Sequence, residues 1–292
     1  MAEPDPAQGV IDLHVHISPH GCMHAAAQQV IDAGRHDLDV IHGAIDDPGV
    51  LLRHMDDQGV RAAAVINYPS PDVIGYPMAV NEFVARYRDH APQRLLAVGG
   101  AHPRFERDMS GTMRHLLDDL RLDMVKVHPP HQLFAANAYV DGLDPLRVLY
   151  AECQRRRVPV MVHTGTSVFP GARCKFGRPM ELDDVAVDFP ELPLVMAHGG
   201  RPLWCDEAFF VVRRHRNIWL EISGIPPGAL LEYFPRLEQV ADRVLWGTDW
   251  PSPGVRDMRT NVARFLALPL DPAAKDRILR GNALRLFPRL SG

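Results

Sequence analysis

Eight short apolar runs, rich in β-branched residues, recur along the chain. They span residues 10–17, 61–67, 95–101, 123–128, 158–164, 192–198, 217–223 and 243–249. Longer amphipathic stretches separate them, among them 78–90, 109–120, 143–156, 206–216 and 228–240. Alternation of this kind predicts a parallel sheet covered by helices, because parallel strands need a crossover to bring the chain back. Eight such strands predict an α/β fold, a (β/α)8 TIM barrel, in one domain over residues 1–292. Residues 18–50, after the first strand, carry Gly and His but no core pattern of their own. They are expected to form a lid-like insertion.

Strand side chains alternate between faces. In the first run Asp12, His14 and His16 share one parity, and Ile11, Leu13, Val15 and Ile17 the other. The apolar set is expected to pack on the helix ring, which turns the histidines inward. The same test pairs Met161 with His163, Leu194 and Met196 with His198, and Leu245 and Gly247 with Asp249. Each polar residue falls at the carboxyl end of its strand, the face where barrel enzymes place their sites. Any one of these histidines alone reads as a hydrogen-bonded core residue, and His-x-His by itself is a weak signal. Imidazoles and a carboxylate converging from four strand ends are the donor set of a divalent metal centre. Lys126 shares a parity with Met124 and His128 and should also point inward.

Composition narrows the field. Hydrophobic residues make up 46% and charged residues 23%, the balance of a folded globular chain. A net charge of -4 argues against a general nucleic-acid binder. The 15 histidines outnumber the 4 Trp and 6 Tyr together, which favours metal or acid–base chemistry. No apolar run reaches the roughly 18 residues that a membrane span requires. Four scattered cysteines without a Cys-x-x-Cys pair indicate a reducing compartment. With no signal-like N-terminus, the reading is cytoplasmic.

The segments Asp12-Leu13-His14-Val15-His16, Val162-His163-Thr164-Gly165, Ala197-His198-Gly199-Gly200 and Trp246-Gly247-Thr248-Asp249-Trp250-Pro251 resemble, in this order, the amidohydrolase superfamily. The chain is similar to its amidohydrolase-related branch, which includes aminocarboxymuconate-semialdehyde and resorcylate decarboxylases. The likeness runs from Val10 to Phe287, through a terminal helix around Asn282. It implies one divalent metal ion, zinc being the expected one, held by His14, His16, His163 and Asp249. It implies His198 and Asp249 as the catalytic residues that handle the proton of an activated water. In binuclear relatives a carboxylated lysine on the fourth strand bridges two metals. Here Lys126 is read as an unmodified cation facing the substrate. Dimerisation is common among such relatives, although no exposed apolar stripe in the sequence would carry a homodimer.

Basic residues gather after the strand ends, and arginine suits recognition of a carboxylate. Lys126, His128, Arg178 and Arg201 are the expected substrate-binding residues, with His131, Arg173 and Lys175 nearby. They point to a small, anionic, carboxylated substrate. His102, His20, Cys22 and His24 rank lower, Trp204 and Trp250 could form an apolar wall, and Glu221 receives no role. His54, His90, His115 and His215 are expected on solvated helix faces. The activity that follows is a metal-dependent hydrolase of an amide, ester or lactone. A metal-dependent non-oxidative decarboxylase is the alternative. A metal-independent lactonase and a catalytically silent binding barrel are lesser readings.

Overall fold

The computed structural model describes residues 9–291. Residues 1–8, part of the segment read for a targeting signal, lie outside the described residues. All eight expected strands form: β1 (Val10–Val15), β2 (Val60–Ile66), β3 (Leu95–Gly99), β4 (Met124–Val127), β5 (Val160–His163), β6 (Leu194–Ala197), β7 (Ile218–Glu221) and β8 (Val244–Leu245). They pair in parallel in sequence order, the (β/α)8 topology. The ring closes between β8 and β1. Leu13 N donates to Trp246 O at 3.0 Å, Asp249 N to His14 O at 2.8 Å and His16 N to Trp250 O at 2.8 Å. Across this seam the buried Asp12 carboxylate accepts from Thr248 N (2.9 Å), Thr248 Oγ1 (2.6 Å) and its own strand's His14 N (3.1 Å).

The barrel interior is filled by one residue parity. Ala62, Ala64, Leu96, Val98, Met124, Met161 and Leu245 form a single buried cluster, and Ala283, Phe287 and Leu290 of the terminal segment join it. The opposite parity, including Val65, Val125, Val160, Val162 and Val244, packs against the helices. Two sequence expectations are corrected here. Ile11 and Leu13 belong to the interior cluster, not to the helix side. Ile11 pairs with interior-facing Ala62 and alternation brings Leu13 in after it, while Asp12 pairs with Ala63 and Val15 with Val65, so β1 then carries one residue more than β2. Such a bulge re-aims side chains, and it brings His14 inside next to Leu13. In β6, Val195 and Ala197 face the interior, while Leu194 and Met196 face the helices. Strand parity therefore cannot carry His198 inward. A left-handed backbone at His198 (φ 65°), just past the strand end, does so instead.

The segment 18–50 holds α1 (Ala25–Asp32), α2 (Leu38–Asp46) and the start of α3 (Pro48–Gln58). Its last residues therefore belong to the next helix. That helix has Pro48 in its first turn, its N-terminus capped by Asp47 and its end closed by left-handed Gly59. The expected helix over 228–240 is replaced by short pieces, Pro227–Ala229, Leu230–Tyr233 and Leu237–Arg243. Pro235 lacks the N–H that would continue a helix through them. Among the described residues no helix is long and apolar enough to cross a membrane.

Asp12→Ala would strand three buried donors at the seam. The expected cost is about 3–5 kcal/mol, a fall in melting temperature on the order of 10 °C. Calorimetric or circular-dichroism melting checks it; an unchanged melting point would remove Asp12 from the closure.

Candidate metal centre and substrate cavity

The bulge in β1 and the seam beside it set the ligand geometry. His14 Nε2 lies 3.7 Å and His16 Nε2 3.3 Å from Asp249 Oδ1. His14, His198 and Asp249 each offer a donor atom, all within 4.8 Å of one another, and all three residues are buried. Donors of a tetrahedral ion with bonds of about 2.1 Å stand roughly 3.4 Å apart, so these spacings suit one ion. His163, at the end of β5, is one ring further out. Its ring is 4.6 Å from that of His198 and stacks on His128 at 3.8 Å.

Hydrogen bonds settle which nitrogen of each ring faces the cavity. His16 Nδ1 donates to Ile66 O (3.2 Å) and His198 Nδ1 to Ser223 O (3.0 Å). A carbonyl only accepts, so in both rings Nε2 carries the free lone pair. His14 Nδ1 likewise donates to Glu221 Oε2 at 3.0 Å. Glu221 is held in turn by Ser223 N (2.7 Å) and Ser223 Oγ (2.9 Å). Burial, and then the charge of Lys126, holds the His14 and His163 imidazoles well below the ordinary histidine value. Burial and Arg201 do the same for His198. Burial raises the Asp249 carboxyl. The adjoining His16 and His14 rings and the Arg201 guanidinium outweigh it and hold the group below its usual range.

The orphaned atoms test the fit of a cation. His14 Nε2 and His163 Nε2 are buried without a hydrogen-bond partner. Buried polar groups are ordinarily satisfied, and neutral imidazoles beside an ionised carboxylate are what a divalent ion requires. The donor set fits a divalent metal. Glycine makes the approach possible: a Cβ on Gly247 would stand 2.4 Å from Glu221 Oε1 and 2.7 Å from His14 Cβ.

The centre opens into a cavity of about 580 Å³. Lys126, His128, His131 and Arg201 line it, as do His20 and Tyr68. Lys126 Nζ is buried and unpartnered; burial, opposed by Glu221 and Asp249, brings its pKa down to about 8. Arg201 Nη2 is 3.6 Å from Asp249 Oδ2, and a Cβ on Gly224 would lie 2.5 Å from the same nitrogen. His131 is fixed between Tyr68 OH (2.8 Å) and Ser167 Oγ (2.7 Å).

Several candidates lie elsewhere. Arg178 is exposed and paired with Glu207 at 2.6 Å, away from the cavity lining, so the structure corrects its reading as a substrate-binding residue. Arg173, Lys175, His102 and Trp204 are also absent from that lining. Trp250 is fully buried and forms no cavity wall. It stacks on His54 at 5.0 Å, so His54 is half-buried and not solvated. Trp250 Nε1 also donates to Asp37 Oδ2 at 3.1 Å, and Asp37 pairs with Arg35. Arg35 donates to Pro251 O and Val255 O, each at 3.0 Å, tying the segment after β1 to the loop after Asp249. Sequence reading missed Glu221 as the partner of His14. Its signal was present: a carboxylate inside the buried run Ile218–Glu221, sharing parity with Trp219.

Comparisons with known proteins agree with this architecture. The chain is 30% identical over 155 residues to a 2-pyrone-4,6-dicarboxylate hydrolase of Comamonas testosteroni, covering 40% of this chain and 51% of that one. It is 29% identical over 122 residues to a 4-sulfomuconolactone hydrolase of Rhizobium radiobacter, covering 33% and 40%. The chain thus matches about half or less of the length of these curated relatives. A dihydroxybenzoic acid decarboxylase from Polaromonas sp. JS666, solved with bound manganese and 2-nitroresorcinol, shares the fold. Its TM-score is 0.71 at 17% identity, over 96% of this chain and 97% of that one. The family model described as Amidohydrolase matches residues 11–289, and the protein belongs to that family.

Proposed function

We propose that this protein is a metal-dependent hydrolase of a small carboxylated substrate, a lactone in first place and an ester or amide by the same chemistry. One observation carries the reading: free imidazole nitrogens and the Asp249 carboxylate converge at the base of a cavity that also holds unpaired Lys126. The two curated relatives, both hydrolases, support it; their names speak of a pyrone dicarboxylate and a sulfonated lactone.

His14, His16, His163 and Asp249 would hold the ion, and zinc suits a set of imidazoles with one carboxylate. A bound divalent ion supplies Lewis acidity, polarising a carbonyl oxygen and making water nucleophilic near pH 7. The remaining work falls to the chain. Asp249 stays ionised and can take a proton from the attacking water. His198, its Nδ1 held by Ser223 O, keeps Nε2 free to carry that proton to the leaving oxygen. Lys126 and Arg201 orient the substrate carboxylate. Glu221 keeps the His14 lone pair turned toward the ion, and α1 and α2 cover the cavity. The four cysteines are unpaired, as in a reducing, cytoplasmic compartment.

Elemental analysis of purified protein should find about one divalent ion per chain. Chelation should abolish hydrolysis, with zinc or manganese restoring it; full activity in metal-free protein would refute the metal role. Turnover in ¹⁸O-labelled water should place the label in the opened product. Release of CO₂ from an unopened ring would instead identify a carboxy-lyase, with His198 delivering the proton to carbon. Glu221→Gln should weaken metal affinity by about 10–100-fold in chelator competition, and unchanged affinity would free Glu221 from that task.

A further inference from the structure

The cavity has two unlike halves. On its floor stand Lys126, whose buried Nζ lacks a partner, and Arg201, whose buried Nε also lacks one. The side formed by the segment after β1 presents Met23, Ile31 of α1, and Ile41 and Ile45 of α2, and its polar groups are engaged or exposed: His20 pairs with Asp46, Gln28 donates to Asp32, and His42 is exposed. Ile41 and Ile45 are one helical turn apart and so share a face. Among the described residues, the remaining permanent cation of the lining is Arg264, which is exposed, whereas Asp32 contributes a carboxylate on the side of α1 and α2. At about 580 Å³ the cavity falls within the roughly 300–1,000 Å³ that accommodate drug-sized ligands. A carboxylate on the floor meets two cations. A second one at the far end would meet these apolar side chains and the Asp32 carboxylate, with exposed Arg264 as the permanent cation left for it, and burying an unpaired charge there is costly.

We propose that the substrate is a monocarboxylate with an apolar tail: its carboxylate lies on Lys126 and Arg201, and its tail lies along Met23, Ile31, Ile41 and Ile45. The assignment rests on the hydrolase reading for the carbonyl that reacts. It sets this chain apart from the dicarboxylate named for the pyrone hydrolase.

Titration calorimetry on the zinc-loaded protein tests it without turnover. Butanoate, hexanoate and octanoate should bind about two- to fourfold tighter per added methylene. The dicarboxylates of equal length should bind at least about tenfold weaker than the matching monocarboxylates, a charge being left unpaired. Ile31→Asn and Ile45→Asn, both at half-buried positions, should flatten the series, with melting curves confirming that each variant is folded. An affinity independent of chain length, a dicarboxylate binding as tightly as its monocarboxylate, or no binding by any of these acids would overturn the proposal. A chain-length gradient in a protein that hydrolyses no carboxylated lactone would sink the hydrolase reading alone. A flat series in a working hydrolase would sink this one alone.

Discussion

The closure of the last strand on the first is the constraint on which the site depends. β8 is only two residues long, so few ladder bonds are available to join strands that stand more than 230 residues apart in sequence. The Asp12 carboxylate supplies what the ladder lacks, taking donors from both sides of the seam. Because His14 follows Asp12 on one side and Asp249 follows Thr248 on the other, the groups that close the barrel also set the distance between the first and last metal-ligand candidates. Fold and site are joined at one place.

Packing neutral imidazoles, a lysine and two carboxylates into one buried space is unfavourable unless something compensates. The arrangement is also strained. His198 and Asp249 both adopt left-handed backbone (φ 65° and 68°), which costs a non-glycine residue on the order of 1–3 kcal/mol. Such outliers persist where the surroundings over-determine them. Here the surroundings are the Ser223 carbonyl that holds His198 and the Ser252 hydroxyl and His14 carbonyl that hold Asp249. Stability is given up at two residues of the candidate centre.

Much of this was legible in the sequence, for identifiable reasons. All eight strands follow from apolar runs of strand length, and inward-facing Lys126 follows from simple alternation with Met124. Alternation failed where the backbone departs from it. The extra residue in β1 brings His14 to the same side as Leu13, and His198 turns inward by a backbone twist that opposes its parity. Neither event leaves a mark in hydrophobic patterning, since bulge and twist arise from pairing with distant strands. Arg178 looked equivalent to Arg201 in sequence because each precedes a proline. Only the fold decides that one meets Glu207 at the surface and the other Asp249 in the cavity. Glu221 went unread because its partner, His14, is 207 residues away.

The guanidinium of Arg35 joins two parts of the molecule that exchange of segments between relatives would treat as separate. It sits in the stretch that supplies one wall of the cavity, yet it grips the carbonyls just beyond Asp249. A graft that replaced this stretch would also loosen the anchorage of the loop that carries Asp249. One wall of the cavity and the loop that carries Asp249 are therefore mechanically linked in this barrel, and a transplant that keeps both in place has to carry Arg35 and Asp37 with it.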